Sequence, residues 1–394
     1  MSYHGLYTYA WDLAEVDIGD LAVDLADIGI DTITLATSYH AGKFLRPHGV
    51  RGKVYFPEDG VLYFRPGIER YGRIEPATWS GLADFDPLDV LARQAPDLAR
   101  VGWTVCCHNT RIGLAYPDVV AHNCFDDGYV YSLCPAHQDV RDYVVAMCRD
   151  LALSYELSAL VLETPGWLPY DHGYHHEAQL HPLDRWARLL LGLCFSEASL
   201  AGCAAAGIDG EGLKARTRGL LERWLAAEQP IEEARAADWI AADLALDTEW
   251  GAYHRWRAEC VASLVAEVRD AVPDATELRV IPSVQRPSAR CWIEGSDLAE
   301  LAAVADGLEI CAYEPNAAAV RADIHDVRRR VGDAAQLNAV LRPGYPDLEG
   351  GADTAAAAAA LKAAGVTGLA FYNYGHLGIA ALERMRAGIE SFSI

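Results

Sequence analysis

Several things are missing from this chain, and each absence removes a class of function. No stretch approaches the ~20 consecutive apolar residues that a membrane-spanning helix needs. The opening MSYHGLYTYAWDL has no basic segment followed by an apolar one, so no secretory leader is expected. None of the ten cysteines falls in a Cys-x-x-Cys pair, and Cys106 and Cys107 sit together in an apolar run. They read as small core residues of a reducing, cytoplasmic protein and not as a disulfide scaffold. There is no Gly-rich fingerprint after the first strand (TYAWDLAEVDIGD), no Walker loop and no Gly-x-Ser-x-Gly elbow. Positive charge is scarce: 33 Lys and Arg stand against 56 Asp and Glu, a formal net charge of −23. So acidic a surface repels phosphate backbones and anionic lipid, so neither nucleic acid nor a membrane is expected as a partner. Oligomeric state is open, a homo-oligomer included.

What is present is a regular alternation. Short apolar, β-rich runs fall at Leu6–Trp11, Thr32–Thr37, Trp103–Cys107, Ala159–Leu162, Leu278–Pro282, Leu308–Ala312, Leu337–Leu341 and Gly368–Tyr372. Helical patterns lie between them at Ile18–Ile28, Pro87–Val101, Asp139–Tyr155, Asp297–Ala305, Asn316–Val331 and Thr354–Ala364, and Ile379–Ser391 closes the chain. Strands alternating with helices make βαβ units and a parallel sheet. Eight of them, ending in a helix, predict an α/β fold: one (β/α)8 TIM barrel over residues 1–394, a length this class reaches with insertions.

Two stretches interrupt the repeat. Residues 41–85 contain VYFPEDGVLYF, which predicts a β-hairpin insertion after strand two. Residues 165–246 predict a helical cap after strand four, with helices at Leu183–Ala206, Gly212–Ala227 and Ile231–Leu246; Trp250–Val272 is the barrel's own helix. Both leave from strand ends, the face on which such barrels place their chemistry.

Every strand ends in polar or aromatic residues, as a polar pocket requires. The ends are Trp11-Asp12, Tyr39-His40, His108-Asn109, Glu163 through Trp167, Ser283 with Gln285, Tyr313-Glu314, Arg342, and Asn373-Tyr374-Gly375-His376. Glu163 follows ALVL and Glu314 follows EICAY, each where an apolar strand opens into the mouth. Two carboxyls with different tasks are what glycosidic cleavage needs: one protonates the leaving oxygen, the other attacks or activates water. Either could equally pair with a nearby Arg or Lys, and Asp12 could cap the turn into the first helix. The aromatics Trp11, Tyr39, Trp167 and Tyr374 suit the C–H faces of a sugar, though such residues also serve as rim packing. The stretch YDHGYHHEAQLH holds His172, His175, His176, Glu177 and His181. Its spacing matches no standard zinc motif, so hydrogen bonding to a ligand is expected there, with no metal and no other cofactor. His40 and His108 carry the same ambiguity.

The segment YSLCPAHQDVRDYVVAMCRDLALSYELSALVLETPGW resembles the strand-four unit of a family of uncharacterised glycoside-hydrolase-like TIM barrels. There a Cys-Pro-x-x-x-x-Val-Arg helix leads into an apolar strand ending in an acid; here these are Cys134, Pro135, Val140, Arg141 and Glu163. The likeness is specific over about forty residues. It implies a carbohydrate-active barrel with Glu163 in the catalytic position. The chain departs from the common two-glutamate barrels, which have Asn before the strand-four Glu and a second Glu after strand seven. Leu162 precedes Glu163, and strand seven ends in Arg342. The second acid then falls to Glu314 on strand six, similar to alpha-galactosidase-like barrels, which use aspartates. The expected function is hydrolysis of a small sugar or glycoside by Glu163 and Glu314. Trp11, Asp12, Tyr39, His40, His108, Asn109, Trp167, His175, His176, Arg342, Asn373 and Tyr374 are expected to contact the carbohydrate. A metal-dependent sugar isomerase, epimerase or lyase and a noncatalytic carbohydrate-binding barrel are the alternatives.

Overall fold

The computed structural model describes residues 3–174, 177–227 and 231–393, with backbone alone at 351–352. Eight parallel strands close into a barrel: β1 (Tyr3–Thr8), β2 (Thr32–Tyr39), β3 (Ala99–Val105), β4 (Ala159–Glu163), β5 (Glu277–Val280), β6 (Gly307–Cys311), β7 (Leu337–Leu341) and β8 (Gly368–Phe371). Each pairs with the next, and β8 returns to β1 with Gly368 opposite Tyr3. The surrounding helices are α1 (Ile18–Ile28), α2 (Pro87–Gln94), α3 (Gln138–Ser154), α4 (Thr248–Ala271), α5 (Leu298–Val304), α6 (Ala317–Val331), α7 (Gly351–Ala363) and α8 (Ala380–Ser393). Asp17, Asp86, Asp247, Asp297 and Asn316 cap five of them by accepting orphan backbone N–H groups. None of the described helices is long and apolar enough to cross a membrane.

The period of two along a strand divides its side chains between two cores. Leu160 and Leu162, Leu308 and Ile310, and Leu337, Ala339 and Leu341 pack outward against the helices. Ala159 and Val161, Val101, Trp103 and Val105, Cys311 and Val340 point to the barrel axis. The interior is not wholly apolar. Glu309 of β6 is fully buried there, accepting from the Tyr3 and Tyr7 hydroxyls at 2.9 and 2.6 Å, with Arg279 3.6 Å away.

Three local expectations change. β1 stops at Thr8, because Ala10–Leu13 coils into a helical turn and Trp11 is buried. The two halves of VYFPEDGVLYF do not pair with each other. Val54–Tyr55 pairs with Phe44–Leu45, while Val61–Leu62 pairs antiparallel with Ser38-Tyr39 of β2 and parallel with Ala77–Thr78. The open edge left where β2 runs past the barrel supplies a better partner than a tight turn does. A further hairpin, Val120–His122 against Gly128–Leu133, follows β3. The helix expected at Leu183–Ala206 is two, Arg185–Leu191 and Glu197–Ala205, with Ser196 capping the second.

The first insertion is pinned to the mouth by buried charge. Arg46 donates to Asp12 at 2.7 Å and pairs with Glu15 at 3.1 Å; Arg46 and Asp12 are 4% and 3% exposed. Asp12 therefore anchors the insertion and does not cap a helix. Gly375 allows this approach, since a Cβ there would lie 2.0 Å from Asp12 Oδ2. Burial raises the Asp12 carboxyl to about 6, against the lowering effect of Arg46. Removing one partner of a buried pair costs about 3–5 kcal/mol. Arg46→Met should lose that much at pH 8 and less at pH 5, where Asp12 takes up a proton. Urea unfolding at the two pH values checks it; an equal loss at both would contradict the coupling.

Candidate active site

The residues at the mouth follow from the inward rows. Glu163 continues the row of Ala159 and Val161 one step past the buried barrel and is half-buried. Trp103, on the neighbouring β3, donates its indole N–H to Glu163 Oε2. Tyr39 ends β2, Tyr9 follows β1 and Tyr372 follows β8. Tyr9 donates to the Tyr39 hydroxyl at 3.1 Å and shares a 2.8 Å hydrogen bond with Tyr372. Trp103 packs edge-on against Tyr39 and Tyr372, with ring centroids 5.1 and 5.9 Å away. Tyr313 follows β6 and lies 5.7 Å from Tyr372. Arg342, at the end of β7, sits 4.3 Å over the Tyr313 ring and is held by Asp347 at 2.6 Å. Of these side chains Glu163, Tyr313, Arg342 and Tyr372 reach solvent, while Tyr9 and Trp103 are buried behind them.

This setting fixes the protonation states. Burial among the rings raises the Glu163 carboxyl to about 7, opposed by the Trp103 hydrogen bond, which favours the charged form. Burial also holds Tyr9 and Tyr39 well above the ordinary tyrosine range and Tyr372 at about 12, with Glu163's charge adding to the rise at Tyr39 and Tyr372. At neutral pH the tyrosines are neutral hydroxyls and Glu163 is poised between its two forms.

The second carboxyl in Glu163's field is Glu294. It ends the short 3-10 helix Ser288–Glu294 after β5 and accepts a hydrogen bond from Ser283. Burial first, then the charge of Glu163, raises it to about 8. Its carbonyl receives the Trp167 N–H at 3.0 Å, and Gly166 lets the two loops close: a Cβ at 166 would lie 2.0 Å from that carbonyl.

Glu314 is placed differently. It lies beyond Cys311, where β6 ends, and burial and then Asp323 of α6 raise its half-buried carboxyl, with Arg286 and Asp347 the other charges acting on it. Tyr313, one residue earlier, packs against the inner cluster. Trp11 stacks between Tyr9 and Tyr55 at 4.4 and 4.8 Å. Trp167 is 1% exposed beneath the Arg257 guanidinium. Asn109 caps Thr110–Ala115 and donates to the Gly60 carbonyl at 3.3 Å. Asn373 is fully buried, its Oδ1 accepting from Gly375 N–H. Tyr374 stacks on His48. All five are engaged in contacts within the rim. His40 stacks on His108 at 3.9 Å, beside Tyr39, and His108 bonds the Gly173 carbonyl at 3.2 Å. His175 and His176 lie outside the described residues.

Among the described residues, three potential metal donors converge at Asp118, His137 and Asp139, where Arg73 already bonds both aspartates. The sequence reading passed over Trp103 and Tyr9. Both alternate with small or apolar inward residues, so parity within the strand was the available signal. Glu294, off the strand in CWIEGSD, gave none.

The same barrel is found in a glycoside hydrolase domain. That of PgaB (BpsB) from Bordetella bronchiseptica superposes with a TM-score of 0.61 over 98% of each chain, at 14% identity. A chitinase from Chromobacterium violaceum and the C-terminal domain of a putative chitinase from Desulfitobacterium hafniense superpose more loosely. Their TM-scores are 0.46 and 0.48 over 99% of each chain, at 10% and 8% identity. At these identities the likeness is one of fold. No family model and no curated protein sequence matches the chain.

A buried carboxyl raised from 4.5 to about 8 resists ionisation in the folded protein. The unfolded chain therefore releases this proton first, and stability falls as pH rises between those values. Glu294→Gln removes the titration while keeping the shape. It should stabilise the protein by up to about 4 kcal/mol at pH 8 and by little at pH 5. Thermal melts across that range check it; a gain independent of pH would show that Glu294 is not protonated in the fold.

Proposed function

We propose that this chain cleaves a glycosidic bond, with Glu163 as the acid that protonates the leaving oxygen. The observation that carries the reading is the Glu163 carboxyl itself, raised to about 7 at the end of an apolar strand and open to the mouth of the barrel. An acid of that strength holds a proton at neutral pH and gives it up readily, which is the requirement for general acid catalysis. The surrounding rings offer flat apolar faces to a sugar, and the Tyr372 hydroxyl offers a hydrogen-bonding group beside them. The fold shared with the PgaB domain, described as a glycoside hydrolase, is consistent with the same chemistry.

Glu163 donates its proton to the bridging oxygen, and the electron pair of the broken C–O bond leaves with that oxygen. The anomeric carbon, left electron-poor, is captured by water or first by a substituent of the sugar itself. The water's spare proton returns to Glu163. This scheme asks no task of Glu314, whose carboxyl lies in the field of Asp323, Arg286 and Asp347. Glu294 is a positioning residue: 3% exposed and tied to Ser283, it braces the loop beside Glu163. Arg342, clamped by Asp347, presents a fixed positive charge to a sugar hydroxyl. Ten free cysteines, nine of them buried, support a reducing, cytoplasmic setting.

Turnover on a panel of aryl glycosides tests the mechanism. Glu163→Gln should lower the rate on any cleaved member by about 10²–10⁴-fold, and a variant that keeps its rate would sink the proposal. The wild-type rate should fall as pH rises through about 7, as the acid loses its proton. Trp103→Phe removes the hydrogen bond that favours the carboxylate, so its alkaline limb should move to higher pH. A limb that stays in place, or moves down, would mean that Trp103 does not set the acid.

A further inference from the structure

A cavity of about 400 Å³ is lined by the loop after β4, the helical insertion and the loop after β5. Its charge is unusual for this protein. Arg185, Arg188 and Arg290 line it against Asp171 and Glu233, three positive groups to two negative, in a chain of net charge −23. Arg185 pairs with Glu233 at 3.0 Å and Arg188 with Asp171 at 3.2 Å. All four of those side chains are more than a third exposed, so the pairs are loosely held. Arg188 Nε is a buried donor with no acceptor among the described residues. Arg290 has no ion pair and no side-chain hydrogen bond among the described residues, although it is half-buried. Burial and the like charge of Arg185 both work against its positive charge, and Asp171, Glu233 and Glu294 offset them only through space. Tyr170 and Trp292 supply aromatic faces on the two sides of the same cavity.

We propose that this cavity is an anion subsite for a sugar unit carrying a carboxylate, with Arg290 as its principal ligand and Arg188 as the second. A guanidinium without an acceptor matches a planar carboxylate bidentately, and the rings take the sugar's C–H faces. Glu294 links the cavity to the Glu163 site, its carboxyl responding to the charges of both Glu163 and Arg290, and the loop after β4 runs from Glu163 to Tyr170 in the cavity wall. This deepens the reading of Glu163 as a glycosidase acid, by naming an acidic saccharide as the substrate class, and rests on that reading.

Isothermal titration of the full chain with glucuronate, glucose, acetate and inorganic phosphate tests it, because binding is read separately from turnover. Glucuronate should bind, more tightly than the other three. Arg290→Gln should weaken it at least tenfold without altering the melting temperature of the unliganded protein, and Arg188→Gln should weaken it less. If Arg290→Gln does not fold, the Arg188→Gln loss carries the test. Glu163→Gln should bind glucuronate as the wild type does, even where it abolishes turnover. The subsite is overturned if glucuronate does not bind, if glucose, acetate or phosphate binds as tightly, or if Arg290→Gln and Arg188→Gln leave the affinity unchanged. It is also overturned if Glu163→Gln, and not Arg290→Gln, removes binding, which would put the ligand in the mouth. Loss of glycosidase activity alone bears on Glu163 and leaves the binding result standing.

Discussion

A strand turns its side chains to opposite faces every residue, and in a closed barrel the two faces are a sealed interior and a helix-covered exterior. Everything at the mouth inherits that constraint. Where an inward row runs one step past the packed interior, its next side chain is neither in the core nor on the surface. Glu163 occupies such a step above Val161, as do Tyr313 above Cys311, Arg342 above Val340 and Tyr372 above Ala370. Their neighbours one residue away, among them Leu162 and Leu341, are committed to the outer core. The carboxyl thus meets rings instead of water, and desolvation, not a neighbouring charge, is the first cause of its raised pKa.

A polar group in that position needs rigid surroundings, and the buried polar contacts of the rim supply them. Asp12 and Arg46 tie the first insertion to the turn after β1. Asn109 ties the loop after β3 to Gly60 of the same insertion. The Glu294 carbonyl holds Trp167, joining the loops after β4 and β5. Each link joins segments distant in sequence, and each buries donors or charges that would be costly if left alone. Asp12, Asn109 and Trp167, read from the sequence as sugar contacts, are members of these links.

The architecture was legible because closure of eight strands leaves a repeating signal: apolar runs at barrel spacing with helices between them, five of the eight helices capped by Asp or Asn. The position of Glu163 was legible for the same reason, since it continues the inward row of Ala159 and Val161 at its strand end. Glu314 lies past Cys311, where β6 ends and the chain turns at Ala312 and Tyr313, so strand alternation does not carry to it. Glu294 was hidden because a loop sets its position, and loop geometry leaves no periodic trace. The partners of VYFPEDGVLYF depended on β2 running beyond the barrel to offer an edge, a tertiary fact that a local turn signal does not contain.

The proposed chemistry depends on the protonation state of one side chain, and that state can be observed without any substrate. Carboxyl resonances of the protein labelled with carbon-13 at glutamate Cδ, followed from pH 4 to pH 9 and assigned by difference against Glu163→Gln, report it directly. The Glu163 resonance should titrate near pH 7. A midpoint near 4.5, the ordinary value for a solvated glutamate, would mean that the rings do not desolvate it and that Glu163 is not the acid of this site.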